Sequence, residues 1–557
     1  MNAAPNEPPP RSRPFGKRWL RRSLVCFAAL VALVAAFYAE EDWRGRRDWN
    51  QYRAAIEARG ESLDFKTYIP KPVPDDQNFL ATPFLKSFYP TNGDQRPLFI
   101  LTNDLWARAF VHVAETYGQK DRSHRHFTDL VAWQKASEAL QNGPLNARQS
   151  FETTNTSLAA RAAAAPAVLE GMEPDATVFA ELRAASTRKY SLCPVAYDLE
   201  NPGLSLGNHL AGMKQLCQRL DLEASAELAA GQSGQSLADV KLMLSLAESF
   251  KSDPYLISYL VRLSCYQIVT QPVWEGLAEH RWTDAQLQEL QSRFLACDFL
   301  GDLNQALKAD RAFGVLRCDE IKKKGLELVA DEYALNSASS FAQSSPPAGV
   351  FNWLRKLMPA KWSSAAASSS RRTPPTVLFK WIGRLMPSGW YDLEKVNYCR
   401  QFEDKFKGFV DFAAKRVSPR QAPPEVTEDN DQFHESQLQD VLHHLVTAST
   451  LTGLARSAFN ASRSQTCANQ IALACALERY RLANGQFPDT LDALTPRFIA
   501  HAPNDLITGQ SYKYRRTANG QFVLYSVGWN EKDDGGVPGK ELFDKTQGDW
   551  VWEYPPE

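Results

Sequence analysis

The sequence reads Leu24-Val-Cys-Phe-Ala-Ala-Leu-Val-Ala-Leu-Val-Ala-Ala-Phe-Tyr-Ala39 near its N-terminus, which is sixteen apolar residues without an interruption. A helix of that length covers about 24 Å, whereas the hydrocarbon layer of a bilayer is about 30 Å thick. Arg21 and Arg22 can extend towards the headgroups and so lengthen the span. Aromatic residues suited to the two interfaces flank the run: Trp19, Tyr38 and Trp43. The pattern therefore predicts a transmembrane anchor over residues 19–43.

Charge is distributed unevenly about this run. Six basic residues precede it (Arg11, Arg13, Lys17, Arg18, Arg21 and Arg22), and three acids follow it at once (Glu40, Glu41 and Asp42). Because basic flanks stay in the cytoplasm, we expect a single pass through a bacterial inner membrane, with roughly 515 residues extracytoplasmic, in the periplasm. The alternative is a signal peptide cleaved after Val34-Ala35-Ala36. Residues 1–18, with four prolines in the first ten, are predicted to be a disordered basic tail.

The composition of the whole chain limits the classes of protein to which it can belong. A length of 557 residues predicts two or three compact units, and 44% apolar with 23% charged residues is typical of a globular protein. The net charge of −1 gives no basic excess for a phosphate backbone, so nucleic acid is not an expected partner. A mean hydropathy of −0.39 excludes a multi-span membrane protein. The nine cysteines form no C-x-x-C pair and are interpreted as buried apolar residues. The alternative is a disulfide such as Cys193–Cys217, which spacing alone cannot establish.

Helical signals dominate the middle of the chain. Asp253-Pro254 is typical of a helix start, Thr283-Asp-Ala-Gln286 is a capping box, and Asn484-Gly485 is a helix stop. We therefore predict a mainly α fold: an N-terminal transmembrane helix, a large α-helical array or bundle, and a small C-terminal α+β module. The expected segments after the anchor are a stalk and Pro-rich linker (44–99), an α-helical domain (100–335), a Ser/Ala/Pro-rich linker (336–376), a helical segment (377–416), a linker (417–436) and a long helix with the α+β module (437–557).

An internal repeat lies between the two halves of the chain. Pro346-Pro-Ala-Gly-Val-Phe-Asn-Trp-Leu-Arg-Lys-Leu-Met-Pro-Ala-Lys-Trp362 aligns without gaps to Pro374-Pro-Thr-Val-Leu-Phe-Lys-Trp-Ile-Gly-Arg-Leu-Met-Pro-Ser-Gly-Trp390, with eight of seventeen positions identical. One interpretation is an interfacial helix that touches the membrane or a partner. The other is a local duplication whose second copy docks on the core of the protein itself.

The C-terminal region carries several motifs in a fixed order. They are Leu477-Glu-Arg-Tyr-Arg-Leu-Ala-Asn-Gly-Gln-Phe-Pro-Asp-Thr-Leu-Asp-Ala-Leu, then Pro503-Asn-Asp, Gly509-Gln-Ser-Tyr-Lys-Tyr-Arg and Leu524-Tyr-Ser-Val-Gly-Trp-Asn-Glu-Lys-Asp-Asp-Gly-Gly. Asn519-Gly520 between two strand-like runs predicts a hairpin whose tight turn has two residues with positive φ. Over about 75 residues this order resembles the soluble half of the major pseudopilins of type II secretion. The whole chain also resembles large membrane-anchored proteins of planctomycete and verrucomicrobial type, and this resemblance supplies no activity to carry over.

The pseudopilin resemblance implies a calcium site in the loop after the hairpin. Its expected ligands would be Asn530, Asp533, Asp534 and Glu541, whose oxygen atoms suit Ca²⁺. Lys532 stands where an EF-hand would have a ligand, and the alternative is a solvated acidic turn. No other cofactor is expected.

Gly203-Leu-Ser-Leu-Gly207 matches the nucleophile elbow of α/β-hydrolases, which makes Ser205 a catalytic candidate. Asn201-Pro202 before it indicates a turn where that fold needs a strand, and the sequence contains no Walker loop, dinucleotide fingerprint or H-E-x-x-H motif. The favoured expectation is a non-enzymatic, membrane-anchored scaffold that binds a protein partner at the cell envelope, beside a secretion or pilus-like system. The alternatives are an extracytoplasmic serine hydrolase that uses Ser205 and a calcium-dependent binding protein.

Overall fold

A computed structural model of the chain describes residues 15–89, 125–141, 157–194, 197, 199–200, 208–325, 383–427 and 454–554. The chain is mainly helical, as the sequence predicts, and these residues fall into two compact units. The smaller unit contains residues 15–61, 318–325 and 383–398 of the described chain. The larger unit contains the remaining described residues.

The smaller unit is built around helix α1, Phe15–Ala58. This helix is long and apolar enough to cross a membrane, and none of its apolar window is buried by other parts of the protein. Large apolar side chains project from it with half or more of their surface exposed, among them Trp19, Leu24, Phe27, Leu30 and Leu33. The helical form of the predicted anchor is confirmed, and it continues without a break into the polar segment that follows.

Helices form most of the larger unit. They are α2 (Leu130–Gln141), α3 (Leu158–Met172), α4 (Ala176–Ala185), α5 (Asn208–Ala229), α6 (Ser233–Ser249), α7 (Leu256–Ala278), α8 (Asp284–Leu295), α9 (Phe299–Lys324), α10 (Ser388–Phe406) and α11 (Arg456–Asn484), of which α9 and α10 extend into the smaller unit. Helices α5, α6 and α7 pack against one another, and α7 and α8 pack on α11. The predicted helical bundle therefore includes the long C-terminal helix.

Local helix signals were accurate in two of three places. Thr283 and Gln286 form the predicted capping box at the start of α8, and α11 ends at Gly485, whose φ of 80° lies in the left-handed region. The third signal is corrected, because α7 begins at Leu256 after the N-cap Tyr255 rather than at Asp253-Pro254. The carboxylate of Asp253 instead accepts hydrogen bonds from the hydroxyls of Ser258 and Tyr197.

The C-terminal module contains a three-stranded antiparallel sheet in the order β3 (Lys513–Arg516), β4 (Phe522–Ser526) and β5 (Trp550–Trp552). The predicted hairpin is confirmed, with Tyr514 opposite Leu524. Its turn differs from the prediction, since Gly520 has a φ of 83° and Asn519 does not have a positive φ. Thr517 accepts from Gly520 and donates to Gln521, which is a three-residue loop with one left-handed glycine.

Two predicted linkers are packed where the structure describes them. Residues 62–89 form short 3₁₀ and α-helical turns rather than an extended chain, and Phe79, Leu85 and Phe88 among them are buried. The predicted helical segment (377–416) ends in a two-stranded ribbon, β1 (Val410–Asp411) with β2 (Arg416–Val417), and the linker after it forms 3₁₀ and α-helical turns up to residue 427. Apolar residues spaced among the prolines explain the packing, because burying them offsets the cost of ordering the chain.

All nine cysteines lie in the described part of the chain as free thiols, and seven of them are buried. The seven buried cysteines therefore pack as apolar residues, and Cys193 and Cys217 do not form a disulfide. Several predictions fall on residues outside the described ranges. These are Ser205, the linker over 336–376, the first copy of the repeat and residues 437–453 of the long helix.

Candidate functional site

Three carboxyl groups, two of them buried and one half-buried, meet where α5 and α6 pack together in the larger unit. Glu223 and Glu227 are four residues apart on α5, so they lie on one face of that helix. The chain reverses at Gly231, whose φ is 78°, and α6 then brings Asp239 beside them. One carboxylate oxygen from each residue lies within 4.8 Å of the other two. We call Glu223, Glu227 and Asp239 the acid cluster.

The acid cluster is shielded from water. The Asp239 side chain has no exposed surface, and Glu227 is 5% exposed. If all three groups were ionised, one oxygen of each would lack a hydrogen-bond donor among the described residues: Glu223 Oε2, Glu227 Oε2 and Asp239 Oδ2. A buried carboxylate in that state is destabilising unless a proton or a cation neutralises it. A proton on Glu227 lets its side chain hydrogen-bond to Asp239.

Arg183 on α4 supplies positive charge to the acid cluster. Its guanidinium pairs with Asp239, with 2.8 Å between Nε and Oδ1, and its Nη2 lies 3.4 Å from Glu223 Oε1. Arg219 also acts on Glu223 but is paired with Asp175, so Arg183 alone cannot balance three carboxylates. Burial, followed by repulsion from Asp239, raises the pKa of Glu227 to about 10 and that of Glu223 to about 8. Burial raises the pKa of Asp239 to about 6, although Arg183 acts in the opposite direction.

The chemistry open to the acid cluster follows from this balance. At neutral pH Glu227 holds a proton, and Asp239 is the carboxylate that pairs with Arg183. Three hard oxygen donors are also the ligand type that Mg²⁺, Mn²⁺ and Ca²⁺ prefer. The sequence contains a signal for the α5 pair, namely two acids four residues apart on one helix. It contains none for the contact with Asp239, because that contact depends on how α6 packs.

A second polar group surrounds the first turn of α5. Nε2 of His209 lies 3.6 Å from Oδ2 of Asp253, and the ring of His209 stacks on Tyr89 with 4.7 Å between centroids. Both carboxylate oxygens of Asp253 also accept hydroxyl donors: Tyr197 at 3.1 Å and Ser258 at 2.5 Å. An imidazole beside a carboxylate is the arrangement of a general base. Ser205 precedes His209 by four residues and lies outside the described residues, so its role stays a prediction.

The predicted calcium ligands lie in the C-terminal loop, residues 530–541. Asp534 is paired with Lys532 at 2.7 Å and accepts from the Asn530 side chain at 3.1 Å. Asp533 accepts from the Tyr525 hydroxyl and the backbone of Gly535, each at 3.1 Å, and Lys513 is 3.4 Å away.

The side chain of Glu541 is exposed. Within the described ranges, the carboxylates of Asp533, Asp534 and Glu541 do not converge as those of the acid cluster do.

The residue that organises the C-terminal loop was not singled out from the sequence. Asp549 is 1% exposed, and its two carboxylate oxygens accept from the backbone N–H groups of Gly536 (2.6 Å) and Asp534 (3.2 Å). Burial raises the pKa of Asp549, and these two backbone donors lower it. Asp549 is therefore the carboxylate that fixes the path of the loop.

We compared the chain with models of protein families, with curated proteins and with solved structures. None of the three comparisons finds a match. The resemblance of the C-terminal region to pseudopilins is neither supported nor contradicted, and it stays a prediction.

Proposed function

We propose that this protein is a single-pass, membrane-anchored scaffold or interaction protein whose larger unit lies outside the inner membrane. The observation that carries the proposal is α1, in which exposed apolar side chains extend from Trp19 to Phe37. Such a surface is unstable in water and stable in lipid. The basic residues before it and the acids after it favour the outward orientation of everything that follows.

The acid cluster favours a structural role over a catalytic one. Asp239 is fully buried and held by Arg183, so a substrate has no direct access to its carboxylate. The chain therefore keeps these charges inside the larger unit, where they join α4, α5 and α6. A scaffold that presents its outer surface to a protein partner is consistent with this arrangement, and so is the resemblance to secretion pseudopilins.

Anchoring is tested by extracting membranes with alkaline carbonate. We expect the natural chain to stay with the membrane, and a variant with Leu30→Arg and Leu33→Arg to move to the soluble fraction. Leu482→Arg is the matched control, since Leu482 is an apolar residue 47% exposed in the larger unit. Release of the natural chain into the soluble fraction would overturn the proposal. A mature N-terminus after Ala36 would show the signal-peptide alternative instead.

Orientation is tested with a thiol reagent that cannot cross membranes. Cysteines are introduced at Val537, which is 60% exposed, and at Trp19, which is 72% exposed at the basic end of α1, in a chain where Cys26→Ser and Cys193→Ser remove the two thiols that are not buried. Intact spheroplasts should be labelled at position 537 and not at position 19. The reverse pattern would contradict the outward orientation.

An interaction role is tested by crosslinking in intact membranes, followed by purification and mass spectrometry. We expect one partner to be recovered in fixed proportion with the natural chain and lost when the anchor carries Leu30→Arg and Leu33→Arg. Recovery of no crosslinked partner at any crosslinker length would contradict the scaffold proposal.

One observation favours the hydrolase alternative, namely the proximity of His209 to Asp253 just after the motif that contains Ser205. A fluorophosphonate probe distinguishes the two proposals, because it reacts with an activated serine and spares ordinary ones. Labelling that is lost in Ser205→Ala and kept in Ser258→Ala would establish the hydrolase. We expect no labelling of Ser205.

A further inference from the structure

A second segment of the smaller unit lies against α1 where its apolar stretch ends. The hydroxyl of Tyr38 donates to the backbone oxygen of Leu385 at 2.5 Å. The ring of Trp390 contacts Phe37 edge to face, with 6.5 Å between centroids. The described residues 383–390 belong to the second copy of the internal repeat, so this part of the repeat packs on the apolar helix.

Two glycines fix where residues 383–390 lie along the axis of α1. A Cβ atom on Gly389 would lie 2.0 Å from the backbone oxygen of Glu41, and one on Gly45 would lie 2.1 Å from the backbone oxygen of Gly389. Any larger residue at either position would push the two backbones apart. The backbone N–H of Gly389 also donates to Asp42 at 2.7 Å. Residues 383–390 are therefore held beside residues 37–45 of α1.

Residues 37–45 of α1 lie at the membrane interface when the helix spans the bilayer. The 21 residues from Trp19 to Ala39 are about 31 Å long as a helix, which matches the hydrocarbon thickness of about 30 Å. Phe37 and Tyr38 then lie in the last turn within the hydrocarbon, and Glu41 lies just outside it. Trp390 faces both environments, because its ring contacts Phe37 and its indole N–H donates to Glu41 at 2.9 Å. Tryptophan is enriched at this depth for that reason.

Leu385 is largely exposed beside this part of α1. Its side chain is 66% exposed, and the neighbouring Phe37 on α1 is 48% exposed. The two exposed side chains extend the lipid-facing surface from the helix onto the adjoining segment. Arg384 next to Leu385 is also exposed and can reach the phosphate layer.

We propose that residues 383–390 form a second membrane contact, in which Leu385 inserts among the acyl chains beside α1 and Trp390 lies in the headgroup layer. The occupant of this surface is the bilayer, because the surface is continuous with the span and at its depth. The inference rests on the proposed function, since it requires α1 to cross the membrane. It also favours the interfacial interpretation of the repeat for its second copy.

The test uses the full chain reconstituted in vesicles of phosphatidylethanolamine and phosphatidylglycerol. Benzoylphenylalanine is incorporated at position 385, at position 30 within the span, or at position 537 in the larger unit. All three natural residues are exposed in the protein, so the substitutions should not disturb folding. After irradiation we expect lipid adducts at positions 385 and 30 and none at position 537.

The outcomes separate the two proposals. Adducts at position 30 without adducts at position 385 would overturn the second contact and leave the anchor intact. Adducts at neither position would overturn the anchor as well. A second measurement places an environment-sensitive dye on a cysteine at position 385, after Cys26→Ser and Cys193→Ser remove the two thiols that are not buried.

Brominated lipids should then quench the dye at position 385 and leave the dye at position 537 unquenched. Equal fluorescence at both positions would contradict the inference.

Discussion

The acid cluster and the C-terminal loop both concentrate carboxyl groups, but they neutralise them in different ways. In the cluster, burial between α5 and α6 leaves Arg183 as the counter-charge and raises the pKa of Glu227 to about 10. In the loop, Asp533 and Asp534 are exposed enough for lysines and backbone N–H groups to reach them, and the pKa of each is lowered. The difference shows that burial, more than the number of acids, decides whether a group of carboxylates is a stable charged surface or a protonated interior.

The largest expected loss of stability from a single substitution is at Arg183, the cation that pairs with the acid cluster. Arg183→Met leaves Asp239 buried without its partner, and removal of one member of such a pair costs about 3 kcal/mol. The measurement is urea unfolding of the detergent-solubilised full chain, followed by circular dichroism. Lys532→Met is the matched control, because it removes an ion pair from the exposed C-terminal loop and should cause no measurable change. An equal loss of stability in Arg183→Met and Lys532→Met would contradict the view that burial makes the cluster more dependent on its cation than the loop.

The acid cluster should make stability depend on pH. The ordinary pKa of a glutamate is about 4.3, and the folded values of Glu223 and Glu227 are about 8 and about 10. Between those limits the folded chain holds protons that the unfolded chain has released, so stability falls as pH rises. We expect the unfolding midpoint to decrease from pH 6 to pH 9, and Glu227→Gln to flatten that decrease, so that the two curves converge as the pH falls towards 4.

The control for the pH effect is Asp533→Asn in the loop. The pKa of Asp533 is lowered by the backbone N–H of Gly535, so this carboxyl does not titrate between pH 6 and pH 9. The variant should therefore keep the slope of the natural chain. Parallel curves for the natural chain and Glu227→Gln would show that the cluster does not bind the proton inferred here.

The sequence predicts those features that neighbouring residues determine. Thr283 with Gln286 and Gly485 specify helix ends by contacts within one turn, and both predictions were correct. The hairpin was also predicted, although its turn has one left-handed residue because the loop is one residue longer than the tightest type. Asp239 and Asp549 could not be predicted as site residues, because each acts through contacts that depend on packing between segments distant in the chain or on the folded path of a loop.

An intermediate loss of stability is expected on replacing Asp549, the deeply buried acid that binds the backbone of the C-terminal loop. Asp549→Ala removes the acceptor for the backbone N–H groups of Gly536 and Asp534, and leaving such donors unsatisfied costs about 2 kcal/mol. Chemical unfolding and limited proteolysis within the loop measure the change. Asp533→Ala at the exposed end of the same loop should leave both readouts unaltered. A larger loss of stability in Asp533→Ala than in Asp549→Ala would mean that burial does not determine how much each acid stabilises the loop.

The smallest expected effect concerns calcium in the C-terminal loop. Ca²⁺ needs six to eight oxygen ligands, and in this loop Lys532 and Lys513 already neutralise Asp534 and Asp533. Binding would have to displace both lysines, so we expect millimolar calcium to raise the unfolding midpoint by less than about 1 °C relative to chelator. A larger rise that is lost in a variant with Asp533→Asn and Asp534→Asn, and not reproduced by magnesium, would establish the loop as a calcium site. The same rise lost in Glu227→Gln instead would place the ion in the acid cluster, where the carboxylates already converge.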